Sequence, residues 1–172
     1  MNSVELKNLQ APLKEKYKAE PESAMITLKA RGTIGEGVSC KVETGRALVE
    51  AGLHPATGGD GLRACSGDLL LEALVACAGV TFNAVATAIG IEIKNGKVNA
   101  EGDLDFRGTL GVSKEAPVGF KTIRLHFQFD SDANAEQIES LKKLTERYCV
   151  VYQTISAGVQ IKTSYNQGKG KL

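Results

Sequence analysis

Residues 73–91, ALVACAGVTFNAVATAIGI, carry no charged side chain, and this run restricts the possible folds more than any other feature of the 172-residue sequence. It is long enough to cross a bilayer. Its residues, however, are mainly Ala, Gly and Thr with an Asn at 83, so transfer into lipid is only weakly favourable. Glu72 and Glu92 adjoin its ends, and no Lys or Arg flank gives it an orientation. A helix that is apolar all round and does not span a membrane is buried all round. A chain this short has trouble surrounding such a helix with its own elements. The run therefore predicts a central helix close to the interface of a homodimer, with no membrane partner.

The rest of the composition narrows the function. Apolar content of 42% and charged content of 24% are those of a soluble globular domain. Net charge is +1, from 21 basic and 20 acidic residues without a basic cluster, so no nucleic-acid partner is expected. The N-terminal stretch is polar and lacks the apolar core of a secretory signal, so a cytoplasmic location is expected. There, cysteines that do chemistry are more to be expected than structural disulfides. Cys40, Cys65, Cys77 and Cys149 form no C-x-x-C pair, and no metal is predicted. HPATGGDG lacks the Gly-Lys-Ser/Thr end of a phosphate loop, so no cofactor is predicted either. His54 and His126 lie far apart and outside any triad context, which argues against a cysteine–histidine hydrolase.

Along the chain, residues 4–19 read as a helix interrupted at Pro12. Residues 25–44 read as a hairpin around GEG, with Ile26, Leu28 and Ala30 on one face of its first strand and Thr27, Lys29 and Arg31 on the other. The long helix begins after a Gly-rich loop, with Ser66 as N-cap, Asp68 in the first turn and Gly90 as the stop. Short strands with an Asn-Gly turn follow, and then FKTIRLHFQFD alternates as Ile123, Leu125, Phe127 and Phe129. A second, amphipathic helix places Ile138, Leu141, Leu144 and Tyr148 on one stripe, and GVQIKTSY is the last strand. The order of elements is that of an α+β protein.

Cys77 shares a helix face with Leu70, Ala73, Leu74, Thr81 and Ala84. A free cysteine in such a place commonly serves as a small apolar filler. Here Ala73, Ala76, Ala78 and Gly79 leave room around the thiol, and Cys149 ends the second helix in ERYCVVYQTI.

ACSGDLLLEALVACAGVTFNAVATAIGI together with the distant ERYCVVYQTI resembles the OsmC/Ohr family, the osmotically inducible and organic-hydroperoxide-resistance proteins. The resemblance covers residues 25–165. It implies an OsmC-like fold, antiparallel sheets packed around a long central helix in an intertwined homodimer. On that basis residues 1–22 are an N-terminal helical extension, 23–166 the OsmC-like domain and 167–172 a polar tail.

The activity the resemblance implies is a thiol-dependent peroxidase that reduces organic hydroperoxides and is recycled by a dithiol reductant. Cys77 would be the peroxidatic cysteine and Cys149 the resolving one. A family arginine that holds the first cysteine as thiolate matches Arg31 best, with Arg46 and Arg63 as rivals. The glutamate that partners this arginine has Gly67 at its place here, with Asp68 one position on. The chemistry accounts for the set: a thiolate attacks the O–O bond and becomes a sulfenic acid, and a second thiol condenses with it to a disulfide. Two prolines of the family pattern are absent, and Cys65 is an extra thiol beside the helix start. The alternative is a catalytically divergent module that binds a small hydrophobic ligand at the dimer interface.

Overall fold

The computed structural model describes residues 3–34, 40–42, 51–62, 64–158 and 161–168. Helix α1 (Ser3–Ala19) runs through Pro12 and is followed by a 3-10 turn at Pro21–Ala24. Strand β1 (Met25–Ile34) pairs antiparallel with β2 (Cys40–Val42) as the hairpin reading expects; the GEG turn lies outside the described residues, as do Arg46 and Arg63. Then come α2 (Ser66–Ala88), β3 (Lys94–Asp105), the single-turn α3 (Phe106–Thr109), β4 (Phe120–Asp130), α4 (Ala135–Tyr148), α5 (Val150–Ser156) and β5 (Ile161–Gly168). The chain is α+β.

The five strands form one sheet in the order β2-β1-β3-β4-β5. All pairs are antiparallel except β4 with β5. A parallel pair needs a crossover over one face of the sheet. Here the crossover is α4 and α5, and it runs over the face that also carries α2. This topology brings the α4–α5 junction against α2.

The core explains why that face was chosen. On β4, Ile123, Leu125, Phe127 and Phe129 alternate inward and are buried, matching the sequence expectation. Val98 and Ala100 of β3 add to the same face, against Leu71, Leu74, Val75, Ala78 and Phe82 of α2. The Phe82 ring sits 4.9 Å from that of Phe127 and 5.0 Å from that of Phe129, the tilted spacing aromatic pairs prefer. Helix α2 is long and apolar enough to cross a membrane by length and composition, but in this fold it is the core helix of a sheet-and-helix layer.

Helix ends are set locally. Ser66 is the first residue of α2, and its N-cap is Cys65, which makes no side-chain capping bond. The helix stops in a left-handed turn: Gly90 has φ 73°, its N–H reaches the Thr87 carbonyl, and the Ile91 N–H reaches Ala86 at 2.8 Å. That pair of bonds is the Schellman arrangement, and glycine adopts it without a Cβ penalty. Helix α4 begins with a capping box, in which Asn134 accepts from the Gln137 N–H and the Gln137 side chain accepts from Asn134.

Two expectations are corrected. Asn95 and Gly96 do not turn the chain: they form an irregularity inside the continuous strand β3, with Asn95 at φ 52° and a register shift between Lys94 and Lys97. Asn tolerates the left-handed conformation that such a bulge needs, so the same dipeptide serves either purpose. Tyr148 is exposed, and Thr145 takes the buried place at that end of the α4 stripe. VVYQTIS, a segment to which the sequence pattern assigns no element, forms helix α5, where the crossover packs it on α2 and tertiary context outweighs the weak helix propensity of its β-branched residues.

Candidate functional site

Cys77 lies midway along α2, one helical turn before Thr81. It is half-buried and lies on the stripe of the helix on which Leu70, Ala73 and Val80 are exposed. Cys149 is the single residue between α4 and α5, ending one helix and capping the next. Its extended backbone (φ −72°, ψ 107°) turns the thiol back toward α2, and the sulfur accepts the Tyr152 N–H at 3.4 Å. The Cys149 thiol donates to the Cys77 sulfur across 3.4 Å, and Cys149 is only 1% exposed. The two sulfurs are neighbours although 72 positions separate them in sequence.

The two thiols are shifted in opposite directions. Burial works to raise the Cys77 thiol. Hydrogen bonds from the Val151 N–H, the Cys149 thiol, the Thr81 hydroxyl and the Val150 N–H outweigh it and bring Cys77 below its ordinary value. Each of these donors favours the charged form. Cys149 is pushed up to about 12, chiefly by burial and further by its bond to Cys77 and the negative charge there. These surroundings favour the charged form at Cys77 and the protonated form at Cys149. A disulfide needs its sulfurs about 2.05 Å apart, so bond formation requires a closing movement of roughly 1.4 Å.

The other expected site residues lie elsewhere. Arg31 pairs with Asn99, and Asn99 with His126, in a row of side chains on the outer face of the sheet. Arg31 is exposed there, beside a shallow hollow with Lys29, Glu101 and His126. The inner-face residues Val98 and Ala100 flank Asn99, so the sheet stands between Arg31 and α2 of the same chain. Asp68 is nine residues before Cys77, about 13.5 Å along the axis and roughly 180° round the helix. Burial raises its carboxyl, and His54 opposes that shift. Within one chain, neither residue is brought to Cys77.

Asp68 belongs instead to the start of α2, beside a cleft of about 400 Å³. Leu53, His54, Cys65, Leu70, Phe106 and Phe120 line it. His54 stacks on Phe106 with ring centroids 4.9 Å apart, and its Nδ1 accepts the Ala56 N–H. Helix α1 braces this loop, through Tyr17 to the Ala56 carbonyl at 2.8 Å and Gln10 to the Thr57 carbonyl. Among the described residues, no group of His, Cys, Asp or Glu is arranged to hold a metal ion.

Sequence reading missed the two backbone donors, because they depend on α5 being a helix. Thr81 was visible, since a residue four positions on shares its helix face.

The family profile described as OsmC-like protein matches residues 58–164, and the chain belongs to the OsmC family. Solved structures agree on the fold. An organic hydroperoxide resistance protein from Elizabethkingia anophelis superposes with a TM-score of 0.59 at 15% identity, covering 81% of this chain and 96% of its own. An OsmC-like protein from Mycoplasma pneumoniae gives 0.57 at 19% identity over 84% and 94%. An organic hydroperoxide resistance protein from Legionella pneumophila gives 0.56 at 19% identity over 83% and 96%. No curated protein matches the sequence. Helix α1 precedes the matched segment, and so does the His54 loop that it braces.

Proposed function

We propose that this protein is a thiol-dependent peroxidase that reduces organic hydroperoxides, with Cys77 as the peroxidatic and Cys149 as the resolving cysteine. The observation that carries the reading is the pair itself: two thiols 3.4 Å apart, one favoured as thiolate and the other held protonated. The Cys77 thiolate attacks the O–O bond, forming a sulfenic acid and releasing an alkoxide that takes up one proton to leave as the alcohol. Cys149 then displaces hydroxide from that sulfenic acid to form the disulfide, which an external dithiol returns to two thiols in a reducing cytoplasm. The names of the Elizabethkingia and Legionella structures support hydroperoxides as the substrate class. With Arg31 and Asp68 away from Cys77, the thiolate relies on Thr81, Cys149 and the first turn of α5. Peroxide consumption by the wild-type chain, lost in Cys77→Ser and retained in Cys65→Ser, tests the reading.

The proposed assembly is a homodimer. One stripe of α2 is buried in its own chain, while Leu70 and Val80 on another stripe remain exposed. Val150, 71% exposed, and Tyr148 continue this apolar surface beside the cysteines. A second copy would cover it and shield the thiols from bulk water. Light scattering at micromolar concentration should give twice the chain mass.

The second reading, a module that has lost turnover and binds a small hydrophobic ligand, is favoured by the apolar cleft at Cys65 and His54, whose volume is within the usual range for ligand pockets. A chain in which peroxide leaves every thiol unreacted would support it.

A further inference from the structure

Reducing a hydroperoxide requires a proton as well as a nucleophile. When the thiolate takes the terminal oxygen, the other oxygen leaves as an alkoxide, a base far stronger than any thiolate. Four donors surround the Cys77 sulfur: the Val150 and Val151 N–H groups, the Thr81 hydroxyl and the Cys149 thiol. The amides and the hydroxyl hold their protons too tightly to give them up. The thiol is the one acid among these four. It is buried, it sits 3.4 Å from the reacting sulfur, and its hydrogen is already directed there.

We propose that Cys149 acts twice in one turnover, first as the acid that protonates the leaving alkoxide and then, as the thiolate so formed, as the nucleophile that resolves the sulfenic acid. The inference rests on the peroxidase reading above and assigns the order of its proton transfers. The steps balance. Cys77 thiolate and hydroperoxide give the Cys77 sulfenic acid and alkoxide, with the O–O bond broken and an S–O bond made. The alkoxide takes the Cys149 proton and leaves as the alcohol. The Cys149 thiolate attacks the Cys77 sulfur and expels hydroxide, making the S–S bond. In total, two thiol sulfurs are oxidised and one peroxide is reduced.

The same geometry sets the timing. Burial, the bond to Cys77 and the negative charge there all keep Cys149 protonated in the resting pair. Once Cys77 has become a neutral sulfenic acid, the last two restraints are gone. Cys149 thus becomes easier to deprotonate as the alkoxide appears, and a thiol too weak an acid to react at rest becomes the resolving thiolate. The competing route passes the proton from the attacked oxygen to the leaving one within the peroxide, leaving Cys149 protonated.

Leaving groups that differ in their need for a proton separate the two routes. Rates of Cys77 oxidation are measured on the pH plateau where Cys77 is fully thiolate, with cumene hydroperoxide and with peracetic acid, whose carboxylate leaves without a proton. Loss of the general acid should slow the Cys149→Ala reaction with cumene hydroperoxide on the order of 100-fold and the peracetic acid reaction less than about threefold. Alkylation of Cys77 by iodoacetamide, which needs no proton either, should be as little affected and confirms that the variant is folded. In the wild type, heavy water should slow the cumene hydroperoxide step by about twofold or more and leave the peracetic acid step nearly unchanged. Equal losses with the two oxidants, or equal isotope effects, would overturn the assignment. A wild type that reacts with neither oxidant fails the peroxidase reading itself, a result distinct from either.

Discussion

The Cys149 thiol donates a hydrogen bond to the Cys77 sulfur over 3.4 Å, and the crossover between two parallel strands is what places it there. Helices α4 and α5 must pass over the face that carries α2, and their junction is one residue, Cys149. The arrangement makes the two thiols unequal. At pH 8, iodoacetamide should label Cys77 well ahead of Cys149, whose pKa near 12 keeps it protonated. Peptide mapping that finds Cys149 labelled first would contradict this.

Thr81 should matter through its hydroxyl rather than its bulk. A hydrogen bond to a charged group contributes about 1.5–3 kcal/mol, so Thr81→Val should raise the midpoint of Cys77 alkylation by about one to two pH units, and Thr81→Ser should largely restore it. The pH dependence of alkylation in the Cys149→Ser background gives the comparison without a second thiol.

Arg31→Ala should leave that alkylation profile in place, because the sheet separates Arg31 from Cys77 within the chain. A rise in the midpoint would instead mean that the partner subunit brings its own arginine to the site.

The core should be most sensitive at Phe82, which is fully buried between α2 and the rings of Phe127 and Phe129. Phe82→Ala removes a large side chain from a close-packed site and should cost about 3–5 kcal/mol, read as a lower urea midpoint.

Asp103 gives the fold an acid limit. The Arg124 guanidinium, with Nη1 2.5 Å from the carboxylate, holds its pKa down to about 2, against burial and with help from Thr27. Because the folded value lies below the unfolded one near 3.8, this stabilisation is complete above about pH 4 and is lost as pH falls through 2. Urea midpoints between pH 5 and pH 2 should fall less steeply for Asp103→Asn than for the wild type.

Much of this architecture was legible in the sequence wherever one pattern had a single reading. The alternation on β4 and the uncharged run of α2 are such patterns, and both lie where the residues predict. The Asn95–Gly96 dipeptide suits either a turn or a bulge, and only pairing of β3 along β1 and β4 decides between them. Helix α5 depends on the crossover, a contact distant in sequence, so its donors to Cys77 were invisible. Arg31 is the instructive case: its alternation with Ile26, Leu28 and Ala30 already put it on the polar face of β1, opposite the residues expected to meet α2. The family resemblance drew it toward the thiol, whereas the strand pattern agreed with where the structure places it.

Treating the reduced protein with one equivalent of cumene hydroperoxide and mapping its cysteines by mass spectrometry tests the central claim most directly. The proposed pair predicts the loss of two thiols and one cross-linked peptide joining Cys77 to Cys149, with a trappable sulfenic acid on Cys77 in the Cys149→Ser variant. A Cys65–Cys77 disulfide would remove the resolving role from Cys149. Four unreacted thiols would contradict the account altogether.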